Sequence, residues 1–152
     1  MLLAWMFVLH FVADFIFQSR EMGQKKSSEW TWLAKHLMIQ HAVFLVFLAP
    51  FVGIKLALIF ATVNALIHGL IDWNIWRLYK LSAHIRIKKD IAVLDKIMVK
   101  DPMIDHEGLM EEAYQDKVKN WKYWEDHLFY TTIGFDQLLH GLTLILLFGL
   151  FL

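Results

Sequence analysis

Four stretches of this chain are almost uninterruptedly apolar: Met1 to about Gln18, Trp30 to Ala49, about Ile54 to Tyr79, and about His127 to Leu152. A helical bilayer crossing takes ~17–25 such residues, so the pattern predicts four transmembrane helices, the first on the short side. Between them lie a polar loop over Gly23 to Glu29, a short turn that Pro50 and Gly53 impose, and a charged segment over 82–125. Within that segment Ile87, Ile91, Leu94 and Met98 recur at helical spacing, Asp101-Pro102 interrupts, and Met110, Tyr114, Val118 and Trp121 resume. Each set shares one helix face, which predicts an amphipathic helical hairpin at the membrane surface, against the plainer reading of a solvated linker. No period-two run is long enough for a barrel, and there is no internal repeat. The predicted fold is all-α: a polytopic four-transmembrane-helix bundle with a cytoplasmic hairpin between helices three and four. Its divisions are 1–81, 82–126 and 127–152, the first and last forming one bundle.

Composition supports the membrane reading. The 152 residues are 58% hydrophobic with a mean hydropathy of +0.45, where soluble domains run nearer ~45–50% apolar. The first run lacks a basic leader and a small-residue cleavage site and carries His10 and Asp14, so it reads as a retained helix. Net charge is zero, which gives no nucleic-acid footprint, and the absence of cysteine excludes disulfides and thiolate ligands. The basic residues are segregated: Arg20, Lys25, Lys26 and Lys35 fall in 19–35 and ten more in 77–122, while the 50–55 turn has only Lys55. Positive connections stay inside, so 82–126 is expected in the cytoplasm of a bacterial-type inner membrane, with both termini outside.

The chemistry lies in the few polar residues of the apolar runs. His10, Asp14 and Gln18 are four apart in the first; Asn64, His68 and Asp72 in the third; Asp136 and His140 in the fourth, with Gln137 adjacent. At 3.6 residues per turn each set forms one stripe. The order is His then Asp on helices one and three, and Asp then His on helix four, which runs the other way. The expected topology therefore puts Asp14, Asp72 and Asp136 in one layer and His10, His68 and His140 in the next. On helix two His36 falls near the first layer and His41 near the second, although their five-residue offset turns them about 140° apart.

Ionisable groups inside a membrane usually face the bundle interior and mark function. Imidazoles and carboxylates without sulfur suit one or two divalent ions such as zinc, manganese or iron. Eight candidate ligands (His10, Asp14, His36, His41, His68, Asp72, Asp136, His140) exceed what one tetrahedral ion needs. The excess favours two metals, or one metal with outer carboxylates orienting the imidazoles. Ordinary His-Asp hydrogen bonds knitting the bundle are the bland alternative. Gln18, Asn64 and Gln137 are expected as outer or substrate hydrogen bonders, and Arg20, Lys25, Lys26 and Arg77 as cations at the mouth of the site.

His10-x3-Asp14-Phe15-x2-Gln18, the basic loop, the His36/His41 region, His68-x3-Asp72 and Asp136-Gln137-x2-His140 resemble the small bacterial and phage membrane proteins of domain of unknown function 3307. The resemblance spans all four apolar runs and implies a membrane fold and these site positions, but no reaction. The chain departs from that family in the wider His36/His41 spacing and in the expanded 82–125 segment.

The leading expectation is a metal-dependent hydrolase acting on a lipid-linked or phosphorylated substrate at the cytoplasmic leaflet, with Asp14 or Asp136 accepting a proton from water. A transporter or proton relay using the same groups is the rival. The third reading is a non-catalytic module with a structural metal. The expected partners are membrane lipid, a second copy of the chain, and a cytoplasmic protein at 82–126.

Overall fold

A computed structural model describes residues 1–97 and 105–152, so Met98 and the Asp101-Pro102 stop lie outside the described residues. Among the described residues the chain is all-α, with six α-helices. They are α1 (Leu2–Phe11), α2 (Arg20–Lys25), α3 (Trp30–Val52), α4 (Ile54–Ile97), α5 (His106–Lys119) and α6 (His127–Phe151). A π-helical turn, Val12–Ile16, prolongs α1, and a 3-10 turn, Tyr123–Glu125, precedes α6.

Three of these, α3, α4 and α6, are long and apolar enough to cross a membrane, while Leu2–Ile16 is shorter. The first run stops early because the π-turn is followed, after Phe17 and Gln18, by Ser19, whose hydroxyl accepts the Met22 N–H at 3.2 Å and starts α2. Between α3 and α4, Pro50 is accommodated in the last turn of α3, and Gly53 alone, with φ 81°, reverses the chain. A larger departure is α4. The sequence reading ends the third run near Tyr79 and begins a separate amphipathic helix, whereas the structure has one helix of 44 residues. No glycine or proline occurs between Gly69 and Pro102, so nothing interrupts its hydrogen-bond ladder.

The chain forms two compact units, Met1–Arg77 with Thr132–Leu152, and Leu78–Thr131. In the first, the polarity is inverted relative to a soluble domain. Leu66 is 63% exposed on α4, while Asp72 on the same helix is 0% exposed. One end of this bundle is a closed apolar layer built on Met6, Leu9, Phe44, Phe60, Leu144 and Leu147. Lower-numbered residues of α1 and α4 meet higher-numbered residues of α3 and α6 there, as antiparallel neighbours must. The helices approach closely at Gly69, where a Cβ would lie 2.7 Å from Leu37 Cδ1.

In the second unit Asp126 is the hub. It pairs with Arg86 and accepts the Tyr79 hydroxyl at 3.0 Å. Along the same unit Lys117 pairs with Asp90 at 3.0 Å, and the Tyr114 hydroxyl meets His84 Nδ1 at 3.1 Å, so α5 packs along the second half of α4.

Candidate metal centre

Next to the apolar layer the bundle interior turns polar. One helical turn from Met6, Phe44, Asn64 and Leu144 stand His10, Gln40, His68 and His140, all buried. Helical periodicity keeps each on the stripe that already faces inward, so the residues that close the core also aim the polar groups.

The tightest part of the cluster involves four residues from three chain segments, the π-turn, α3 and α4. His36 Nε2 and His68 Nε2 are 2.8 Å apart. His36 Nε2 is 3.3 Å from Asp14 Oδ1 and 3.2 Å from Asp72 Oδ2. His68 Nε2 is 3.3 Å from the same Asp14 oxygen and 3.1 Å from the same Asp72 oxygen. Hydrogen bonding cannot account for all five contacts. Each Nε2 carries one proton at most, and the imidazole-imidazole contact requires one of them to be bare. A divalent cation among the four atoms would account for all of them. Ligand atoms about 2.0–2.1 Å from a tetrahedral ion lie about 3.3 Å from one another, close to the spacing seen. The donor set, two imidazoles and two carboxylates, suits a first-row divalent ion.

A second grouping adjoins it. His140 Nε2 is 3.6 Å from Asp136 Oδ1 and 3.7 Å from Asp72 Oδ1. His10 Nε2 is 3.4 Å from Asp14 Oδ2, and its ring lies 5.0 Å from that of His140. His10 with Asp14 and His68, His36 with His68 and Asp72, and Asp72 with Asp136 and His140 are each buried sets that could hold a metal ion. Imidazoles expected in different layers thus reach the same two carboxylates, since His36 Nε2 and His68 Nε2 each approach both Asp14 and Asp72.

Lys26 and Gln40 complete the centre. Lys26 Nζ is 2.9 Å from Asp72 Oδ1 and 3.4 Å from His36 Nε2. Burial disfavours its ammonium, but the Asp72 and Asp14 carboxylates outweigh that and raise its pKa above the ordinary lysine value. Gln40, fully buried, donates from Nε2 to Asp14 Oδ1. Gln137 Nε2 spans two carboxylates, 3.5 Å from Asp14 Oδ2 and 3.4 Å from Asp136 Oδ2.

Of the residues singled out in the sequence, His10, Asp14, His36, His68, Asp72, Asp136, His140, Gln137 and Lys26 come together. His41 does not: it is half-buried and bonds the Thr62 hydroxyl at 3.2 Å, as its angular offset from His36 dictates. Gln18 falls past the π-turn, off the α1 stripe, and packs against Gly23. Asn64 is buried one turn from His68 with its Nδ2 unpaired. The expected mouth cations separate. Lys26 is only 5% exposed and inside the cluster, because the turn after α2 folds it inward. Arg20 is exposed, Lys25 pairs with Glu29 at 3.6 Å, and Arg77 stacks 4.3 Å above Trp73. Gln40 went unread, although it stands four residues after His36, the spacing that marks every other pair.

Over residues 2–152 the chain matches the family described as "Protein of unknown function (DUF3307)", and it belongs to that family. No curated protein and no solved structure matches it.

Proposed function

We propose that this protein is a membrane-embedded, metal-dependent hydrolase acting on a phosphate ester of a lipid or lipid-linked molecule at the cytoplasmic leaflet. The observation that carries the reading is that His36 Nε2 and His68 Nε2, 2.8 Å apart in a buried site, each lie 3.1–3.3 Å from Asp14 Oδ1 and Asp72 Oδ2. A divalent ion bound there would polarise a phosphoryl oxygen and acidify a water molecule. The chain's own groups divide the remaining work. Gln40 and Gln137 hold Asp14 in place, and Lys26 offsets the charge of Asp72. Asp136, which Gln137 orients, accepts the proton of the attacking water. The water oxygen bonds to phosphorus as the ester P–O bond breaks, the proton held by Asp136 passes to the leaving oxygen, and inorganic phosphate and an alcohol result.

In this reading α3, α4 and α6 cross the bilayer, with Leu2–Ile16 as a fourth, shallow crossing and 82–126 in the cytoplasm. Trp30 and Trp73 meet edge to face at 5.9 Å, and Lys35 lies 4.4 Å from the Trp32 ring. With Arg77 on Trp73, these form an aromatic and basic belt of the kind found at headgroup level. Trp73 directly follows Asp72, and Trp32 is four residues before His36. At ~1.5 Å rise per residue the cluster then lies within about 6 Å of the belt, the depth of a lipid's phosphate and glycerol. The apolar layer on the far side, with Phe44 and Phe60 fully buried, counts against a proton or ion path through the bundle.

Detergent-purified protein should hold at least one divalent ion per chain by elemental analysis. It should also release phosphate from vesicles containing a phosphorylated lipid, and His68→Ala should lose both. Protein free of metal, or metal-loaded protein that passes ions across vesicles without releasing phosphate, would refute the reading.

A further inference from the structure

A single cation among His36, His68, Asp14 and Asp72 leaves several buried polar atoms without a hydrogen bond. His10 Nε2, Asp136 Oδ1 and His140 Nε2 make no hydrogen bond, although each residue is at most 5% exposed. Neither oxygen of Asp72 accepts a hydrogen bond of good geometry, despite the Lys26 ion pair. Unsatisfied groups of this kind are costly in a dry interior and call for an explanation. Here they are neighbours, and every one of them is a metal-ligating atom type.

We propose that these atoms form a second cation position, making the centre dinuclear, with Asp72 as the bridging carboxylate. This rests on the hydrolase reading above and specifies the site more closely. Asp72 Oδ2 faces His36 and His68, and its Oδ1 faces His140 at 3.7 Å. Asp136 Oδ1 stands 3.6 Å from the same His140 nitrogen. One carboxylate thus presents an oxygen to each of two ligand sets, the arrangement that bundle cores use for two-metal carboxylate sites. Asp14 repeats it, with Oδ1 toward His36 and His68 and Oδ2 toward His10. With Oδ1 of Asp136 on the cation, its Oδ2 remains to take the proton.

Charge explains why the two positions differ. Among the described residues, Asp14, Asp72 and Asp136 bring three negative charges to the cluster and Lys26 one positive charge. One divalent ion balances the remaining two. A second leaves an excess of two positive charges, which a phosphate dianion would cancel. The second ion therefore binds more weakly, and phosphate strengthens its binding.

The test is a Mn2+ titration of the full chain in detergent, with inorganic phosphate present, read by bound metal per chain and by electron paramagnetic resonance. Two Mn2+ per chain with an exchange-coupled spectrum are expected. Asp136→Asn and His140→Gln should each fall to one Mn2+ with an uncoupled spectrum. One uncoupled Mn2+ in the unaltered protein, or a coupled pair that survives both substitutions, overturns the second position and leaves the hydrolase reading standing. No bound Mn2+ at all overturns both. Should either variant fail to fold, the spectrum of the unaltered protein decides.

Discussion

Lys26 Nζ lies 2.9 Å from Asp72 Oδ1, joining a residue of the polar loop to the most deeply buried carboxylate of the bundle. A lysine at the edge of a membrane helix ordinarily extends its ammonium to water. Here the turn that follows α2 directs it inward, and Asp72 and Asp14 supply the charge that makes burial tolerable.

Lys26→Met keeps the bulk of the side chain and removes its charge. Breaking a buried pair from one side costs ~3–5 kcal/mol, because the remaining charge is uncompensated. The expected result is a large fall in thermal stability for chelator-treated protein and a smaller one for metal-loaded protein, where a cation takes over the compensation. Thermal unfolding with and without chelator checks this; equal losses in both would show that Lys26 does not balance the cluster charge.

Gln40→Leu should leave the fold in place and loosen the metal. Its amide fixes Asp14 through Oδ1, and loss of such an orienting contact typically weakens metal affinity by ~10–100-fold. Competition against a chromophoric chelator reads the change directly.

His36→Ala and His41→Ala form a matched pair on α3. The first removes a nitrogen from the centre and should abolish stoichiometric metal binding. The second removes only the contact with Thr62 and should leave metal content unchanged and stability within ~0.5 kcal/mol. Equal metal loss in both variants would mean that His41 is a ligand after all.

Asp126→Ala tests the second unit. It takes away the ion-pair partner of Arg86 and one acceptor of the Tyr79 hydroxyl, at a cost of ~1–3 kcal/mol. Faster proteolytic nicking within 105–126 is expected, with metal content retained, since the cluster residues belong to the other unit.

The sequence by itself determined that the chain is helical and apolar enough for a membrane, and that His10, Asp14, His68, Asp72, Asp136 and His140 stand on inward-facing stripes. These properties are local: hydropathy and a four-residue spacing on a helix fix them without reference to any other part of the chain. Tertiary structure decided the rest. Whether His36 or His41 enters the cluster depends on the rotation of α3 about its axis, which packing against α4 sets through contacts such as Leu37 on Gly69. The inward path of Lys26 depends on the turn after α2, and the loss of Gln18 on a π-turn that no residue type announces. The length of α4 is not legible locally, because the change from apolar to charged residues near Tyr79 reads like a boundary. A helix ends where its backbone hydrogen bonds fail, and nothing there makes them fail.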